Sequence, residues 1–397
     1  MRLNSIQYRF PLKRGVMTFY VMMMFWACLA VNPQAHAAST HKYDATAIRI
    51  FAYHRIGEDR YPDTSIRREQ FEAHIQELAS GNYNVIALPD AIAALKSGNS
   101  FPPRTVVLTF DGGHASIAKY AVPLLLKHKF PFTLFISSNL IDSGSNEYMR
   151  WGDIKKLAKN DLVTIGMHPA SYRRLYSETD KTIKQSIHAG RSRIRDMTGA
   201  NADLFAYPFG EYSHAYMDII ADTGFRAAVT QNSAVAHLDS TLFELPRFSM
   251  TEGYGSVDRF RLLANALPLP LEITAPQSVV LSETEDVKHF TLRYNSDVVD
   301  NITRLSCFLS DQGRLEFDHG AERNGAEDEN KDDNTDEQRT KQLSITLEYP
   351  LVNGRNRLNC TYPAHDDTTE QNGRNLWRWF GKLLIYNAPD APGMPGE

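Results

Sequence analysis

The segment Leu108-Thr109-Phe110-Asp111-Gly112-Gly113-His114 ends an apolar run on a carboxylate, two glycines and an imidazole. Three other runs end on groups of the same kind. One closes on Tyr53-His54-Arg55, one on Gly166-Met167-His168, and one on Tyr207-Pro208-Phe209-Gly210-Glu211-Tyr212. A carboxylate beside imidazoles can act as a general base, and a histidine can act as an acid or a metal ligand. Backbone N–H groups in a glycine-flanked turn can donate to an oxyanion. The set suits hydrolysis of an acyl group. Plainer readings stand beside it. His54 at a strand end is equally suited to a backbone hydrogen bond in the interior. Trp151 heads a helical pattern, where packing is a more ordinary use of an indole than stacking on a sugar.

These residues need elements that bring them to one place. Residues 49–56, 85–88, 105–111, 132–137, 163–168, 204–208, 227–230 and 245–250 read as short strands rich in Val, Ile, Phe, Leu and Thr. Several are unbroken apolar runs, the pattern of strands covered on both faces. Helical patterns lie between them: residues 67–80 place Phe71, Ile75 and Leu78 on one face, and 117–127 and 153–159 read similarly. Strands alternating with helices predict a parallel sheet, and eight of them favour closure toward a barrel. In such folds functional groups gather at the C-terminal ends of strands, where the four segments above lie.

The texture changes near Leu267, in the Pro-rich run ALPLPLEITAP. Beyond it HFTLRYN, RLSCFLS, LSITLEYP, NRLNCTYP and LWRWFGKLLIYN alternate with period two, which predicts antiparallel strands in a small sandwich. Trp377 and Trp379 share one face, read as sandwich core with sugar stacking as the alternative. Residues 319–342 are almost free of apolar side chains and read as a disordered acidic loop, with loose cation binding as a lesser alternative.

At the other end, Arg2, Arg9, Lys13 and Arg14 precede an uncharged apolar run at 16–31 and the Ala35-His36-Ala37 pattern. This order predicts a secretory signal peptide over 1–37 and an exported, periplasmic or secreted protein. The alternative is an uncleaved tether, but the run falls short of the roughly 20 residues of a membrane span, so no stable span is expected after cleavage. Cys307 and Cys360 would then be the remaining cysteines, read as a possible disulfide or as two buried thiols. The formal net charge of -4 does not suggest the basic face that nucleic-acid binders usually carry, although a local basic patch could hide in that total, and no such partner is expected.

LTFDGG resembles the T-F-D-D-G motif of the polysaccharide deacetylase family, the NodB homology domain of carbohydrate esterase family 4. TIGMHPASY resembles its H-[ST]-x-x-H motif, and FAYPFGEY its third, aromatic-rich motif. YHRI, FPFTLFIS, Tyr148-Met149-Arg150-Trp151 and ELPRF add to the likeness, which runs in order over roughly residues 49–260. The resemblance implies a distorted (β/α) barrel over 38–266, followed by the small all-β sandwich over 267–397. It also implies removal of N-acetyl groups from an amino-sugar polysaccharide of the cell envelope: poly-N-acetylglucosamine, a chitin-like polymer or peptidoglycan glycan. Such an enzyme holds a divalent, zinc-like ion on one Asp and two His, and a neighbouring Asp takes a proton from the bound water.

Carried over, the base falls on Asp111 and the first metal histidine on His168. The oxyanion donor falls on the Phe209 N–H, with Tyr207, Phe209 and Trp151 toward the sugar and His54 at the site. The arginine that opens the third motif in many members is Ala206 here, and Arg247 of ELPRF is the candidate to orient the base in its stead. The departures are as informative. Gly112 stands where the metal Asp belongs, and Tyr172 where the second metal His belongs. A phenol with a pKa near 10 is a poor ligand beside a single imidazole, and catalytic zinc usually takes about three protein ligands. His114, His54 or Asp111 could rebuild such a site, and without that no ion would bind. Three functions therefore remain: an active N-deacetylase, a silent relative that binds the polysaccharide, and an envelope scaffold that presents the C-terminal sandwich to a protein partner.

Overall fold

The structure, a computed structural model, describes residues 42–317, 339–364 and 376–387. The expected signal peptide and most of the expected acidic loop lie outside the described residues. The loop expectation ran through 342, but Thr340–Thr346 is a strand, because Leu343 and Ile345 alternate into the neighbouring core.

The apolar runs become strands buried along their lengths. All seven residues of Thr105–Asp111 are buried, as are all five of Arg49–Tyr53 and of Phe132–Ile136. They pair in parallel in the order Phe248–Ser249, Arg49–Tyr53, Thr105–Asp111, Phe132–Ile136, Val163–Met167, Leu204–Ala206, Ala227–Val229, and Asn84–Val85 also pairs with Thr105–Asp111. The sheet curls into a half-barrel, and a parallel bridge from Val229 to Leu245 leads from its last strand toward the segment that returns to its first. The expected distorted barrel takes this form.

Helices cover the sheet with their apolar faces. Arg68–Ser80 buries Phe71, His74, Ile75 and Leu78, one stripe of a 3.6-residue period. The stretch expected as a plain helix over 117–127 starts as a π-type turn, Ile117–Ala121, and goes on as the α-helix Val122–Lys127. Pro123 lacks the N–H that would close an α-turn there. Inside, Phe110 stacks on Tyr53 at 5.3 Å and meets Phe132 edge-on at 5.6 Å. Each such buried ring contributes roughly 1.5–3 kcal/mol.

Beyond Ala266 the chain forms two further sheets. One holds Leu267–Pro268, Trp377–Tyr386, Gly354–Pro363, Ser306–Leu309 and Gly313–Arg314, with Val280–Leu281 also on Trp377–Tyr386; the other holds Leu271–Ala275, His289–Asn295 and Thr340–Thr346. Leu292, Leu343, Ile345, Leu358 and Leu384 form a shared core between them. Most pairs are antiparallel, but Leu267–Pro268 and Val280–Leu281 run parallel to Trp377–Tyr386. Cys307 and Cys360 face one another on adjacent strands and are disulfide-bonded. The tryptophan expectation is corrected. Phe380, Leu384 and Tyr386 line the sandwich core, whereas Trp379, on the opposite face, packs edge-on against Phe248 of the half-barrel at 6.1 Å.

Candidate functional site

Asp111 is the last residue of its strand, fully buried, and both its oxygens are taken by one guanidinium. Arg247 donates from Nη1 to Oδ1 and from Nη2 to Oδ2, each at 2.7 Å. Nε of the same arginine donates to the Thr230 carbonyl at 2.8 Å, and Nη1 also reaches Thr109 Oγ1 at 3.0 Å. Neither side chain is exposed. Burial alone would raise the Asp111 pKa, but the Arg247 charge and its hydrogen bonds outweigh that and hold the carboxyl well below the usual range.

Two imidazoles face the same carboxylate oxygen. His168 Nε2 lies 3.8 Å from Asp111 Oδ2, and His54 Nε2 lies 3.7 Å from it. His168 Nδ1 is 2.8 Å from the Ala206 carbonyl. A carbonyl can only accept, so Nδ1 carries the proton and Nε2 presents a lone pair. That Nε2 is buried without a hydrogen-bond partner. Burial pushes the His168 pKa down to about 4 and lowers that of His54 as well, so both rings are neutral near pH 7. The Gln231 amide nitrogen approaches His54 Nε2 at 3.3 Å.

The neighbouring positions are filled differently. Gly112 and Gly113 have φ of 85° and 67°, a left-handed pair that turns the chain sharply away from the strand. The turn carries the His114 imidazole back beside Gly112. A Cβ built at Gly112 would lie 2.8 Å from His114 Nε2. The His114 ring stacks on Tyr148 at 5.1 Å, and burial takes its pKa well down. Tyr172 sets its ring edge-on to His168 at 4.7 Å and to Phe209 at 5.0 Å. Its phenol is buried, so its pKa rises.

Asp111, His54, His168 and Arg247 thus meet around one carboxylate, and Phe209 borders them through Tyr172. Tyr207 does not join them. It is fully buried, donates its hydroxyl to the Phe243 carbonyl at 3.1 Å and packs on Phe205, Tyr212 and Tyr216. That corrects its expected place on a sugar: the alternation of the strand end turns it into the core. Trp151 is engaged at the helical rim, where its Nε1 donates to Asp142 at 2.7 Å and Arg193 lies over its ring. Sequence reading missed Gln231, Glu211, Arg174 and Arg355. Glu211 stood inside the third motif and could have been flagged there. Arg355, in NGRNRLNC, carries no local signal.

A family profile described as "Polysaccharide deacetylase" matches residues 98–228. The poly-beta-1,6-N-acetyl-D-glucosamine N-deacetylase of Staphylococcus aureus (strain MRSA252) is 22% identical over 221 residues, covering 52% of this chain and 75% of its own. The deacetylase PplD of Streptococcus pyogenes, solved in complex with acetate, is similar in structure with a TM-score of 0.50 and 19% identity, over 54% of this chain and 96% of its own. IcaB from Ammonifex degensii gives a TM-score of 0.49 and 22% identity, over 55% of this chain and 97% of its own. Residues 98–228 thus resemble the polysaccharide deacetylase family.

The chain departs from that family's motifs at the point where the family holds its metal. The residues present do not fit that ion. Gly112 offers no donor, and the space a side chain would need there is taken by His114. Tyr172 is a buried phenol held in its protonated form, and Asp111 is closed on both oxygens by a cation. Among the described residues no group of three or more His, Cys, Asp or Glu is arranged to hold a metal ion.

Proposed function

We propose that this chain binds an amino-sugar polysaccharide of the cell envelope in its deacetylase-type cleft and does not remove its N-acetyl groups by the family's metal chemistry. The observation that carries the reading is the His114 imidazole, within 2.8 Å of where any side chain at position 112 would begin. The ligand position is therefore filled as well as lost. Tyr172 adds to this, because its ring stands edge-on between His168 and Phe209, at the turn whose N–H a tetrahedral oxyanion would need. The polymer class is suggested by the name of the staphylococcal relative, a poly-beta-1,6-N-acetyl-D-glucosamine N-deacetylase. An envelope location is suggested by the basic, apolar and A-x-A order at the N-terminus.

One feature favours the second reading, a hydrolase that removes N-acetyl groups. Asp111 is held ionised and oriented by Arg247, with the bare His168 Nε2 facing it. That is the arrangement a general base requires. The deciding experiment measures oligomer binding by calorimetry, acetate release from poly-N-acetylglucosamine across a panel of divalent metals, and metal content of the purified chain. Binding without acetate, and with metal well below one equivalent, is expected. Acetate release that disappears in a folded Asp111→Asn variant would overturn the proposal in favour of the hydrolase.

A further inference from the structure

The Phe209 turn is an unusual piece of backbone. Phe209 has φ 59° and ψ 6°, a left-handed conformation that a side chain resists, and Gly210 follows with φ 73°. Gly210 admits no substitute, since a Cβ there would lie 2.5 Å from the Gln231 backbone nitrogen. Within the turn, Gly210 N–H donates to the Tyr207 carbonyl at 2.9 Å and Glu211 N–H to the Pro208 carbonyl at 3.1 Å. Its two faces have different partners. On one face, the Phe209 ring meets Tyr172 edge-on at 5.0 Å. The Phe209 carbonyl accepts from Arg355 Nη2 at 2.8 Å.

Arg355 is not part of the half-barrel. It belongs to Gly354–Pro363, which pairs along its length with Trp377–Tyr386 in the C-terminal sheet. Its Nε lies 3.4 Å from Glu211 Oε1, while Arg174 donates to Glu211 Oε2 at 2.9 Å. Glu211, next but one to Phe209, is a buried carboxylate held between two guanidiniums, one from each region. The same sheet also reaches the other side of the site. The Leu383 N–H donates to Asn232 Oδ1 at 2.9 Å, and the Asn232 carbonyl accepts from the Arg247 N–H at 2.9 Å. Lys382 pairs with Glu244, and Gly381 lies so close to Ser233 that a Cβ would be 2.4 Å from its carbonyl oxygen.

We propose that the C-terminal region completes the cleft, with Arg355 as a positioning residue that fixes the Phe209 turn. The geometry points to one wall of the site being set from outside the half-barrel. The consequence for ligand binding rests on the function proposed above, but the positioning itself does not. It is tested by hydrogen exchange on the full chain. In Arg355→Ala the Gly210 and Glu211 amides should exchange faster, on the order of tenfold, since a charge-assisted hydrogen bond to the turn is lost. The amides of Thr105–Asp111 should keep their protection and so report an intact sheet. Arg355→Lys keeps a cation beside Glu211 but loses the forked donor, and should fall between the two; it also serves if the alanine variant folds poorly. Arg293→Ala, which breaks an exposed pair with Glu272 in the other C-terminal sheet, should leave the turn within about twofold of the parent rate. Oligomer affinity should fall in step with turn exchange. Faster exchange at the turn supports the proposal even in a chain that binds no oligomer, a result that would sink the functional reading alone. Unchanged turn exchange in Arg355→Ala and Arg355→Lys overturns the proposal, whatever the oligomer does.

Discussion

Two sides of one site have fared differently. On the first, Asp111 and Arg247 form a bidentate pair with no exposure to solvent. On the second, the positions where a relative would carry an Asp and a His hold Gly112 and Tyr172, and the space is taken by His114 and two edge-on aromatic contacts. The difference has a physical cause. A ligand pair can be replaced by a glycine and an aromatic ring without leaving an unsatisfied charge. A buried ion pair cannot lose one member without stranding the other. Retention of Asp111 therefore has a reason in stability alone, and it is weak evidence for catalysis by itself.

The largest effect should come from breaking the first side. Arg247→Met leaves the Asp111 carboxylate buried and unpaired and should cost about 3–5 kcal/mol in urea denaturation. Changing both partners, Asp111→Leu with Arg247→Met, should recover most of that loss, because no charge is then buried alone. A single substitution costing under about 1 kcal/mol would mean that the pair does not hold this side together.

Acid sharpens the comparison. Asp111 is depressed below its usual range, so its contribution persists as pH falls and is lost only in strong acid. Buried neutral histidines lose stability in the same direction, but already in milder acid. His74, away from the cleft, lies between the Tyr53 hydroxyl and the Gly255 carbonyl, and burial lowers its pKa to about 4. The unfolded chain takes up that proton near pH 6.5, whereas the folded chain waits until about pH 4. Stability should therefore fall as pH drops from 6.5 to 4, by up to roughly 3 kcal/mol from this one ring. Denaturation at pH 7 and pH 4.5 should show a smaller drop for His74→Gln. An equal drop would assign the acid sensitivity elsewhere.

Much of this was legible in the sequence, for reasons that also explain what was not. Nearly continuous apolar runs such as residues 106–110, interrupted only by Thr109, are best satisfied by burial on both faces, so the parallel sheet followed from composition. The gathering of Asp111, His54 and His168 at strand ends followed from the sheet. Tyr207 and Trp379 were misread because alternation tells which residues share a face but not which neighbour covers it. Tyr207 met the half-barrel core, and Trp379 met Phe248 instead of the sandwich. Arg355 was invisible because its role depends on a contact with Phe209 across 146 positions of sequence, and no local pattern encodes that. The fate of Gly112 was half legible: the missing ligand could be read, but its filling by His114 depends on the left-handed turn at 112–113, which residue types alone do not dictate.

That filling is open to a double-mutant cycle. Gly112→Ala forces a side chain into φ 85° and against the His114 ring, and should cost roughly 1–3 kcal/mol. His114→Ala removes the steric part and leaves the backbone part. In the double variant the Gly112→Ala cost should shrink by about 1 kcal/mol, within the range of coupled neighbours. Costs that simply add would mean that the imbalance between the two sides does not come from His114.

The smallest effect isolates one atom. Tyr172→Phe keeps the ring contacts with His168 and Phe209 and removes only the buried hydroxyl. Loss of that one polar group should cost about 1 kcal/mol or less, measurable as a small fall in the urea midpoint. The space beside the Phe209 turn is then larger by one oxygen. If the phenol occupies the place of a substrate oxygen, oligomer affinity should rise as stability falls, which separates a blocking role from a merely structural one. Affinity that falls together with stability would show that Tyr172 supports the wall of the cleft rather than closing it.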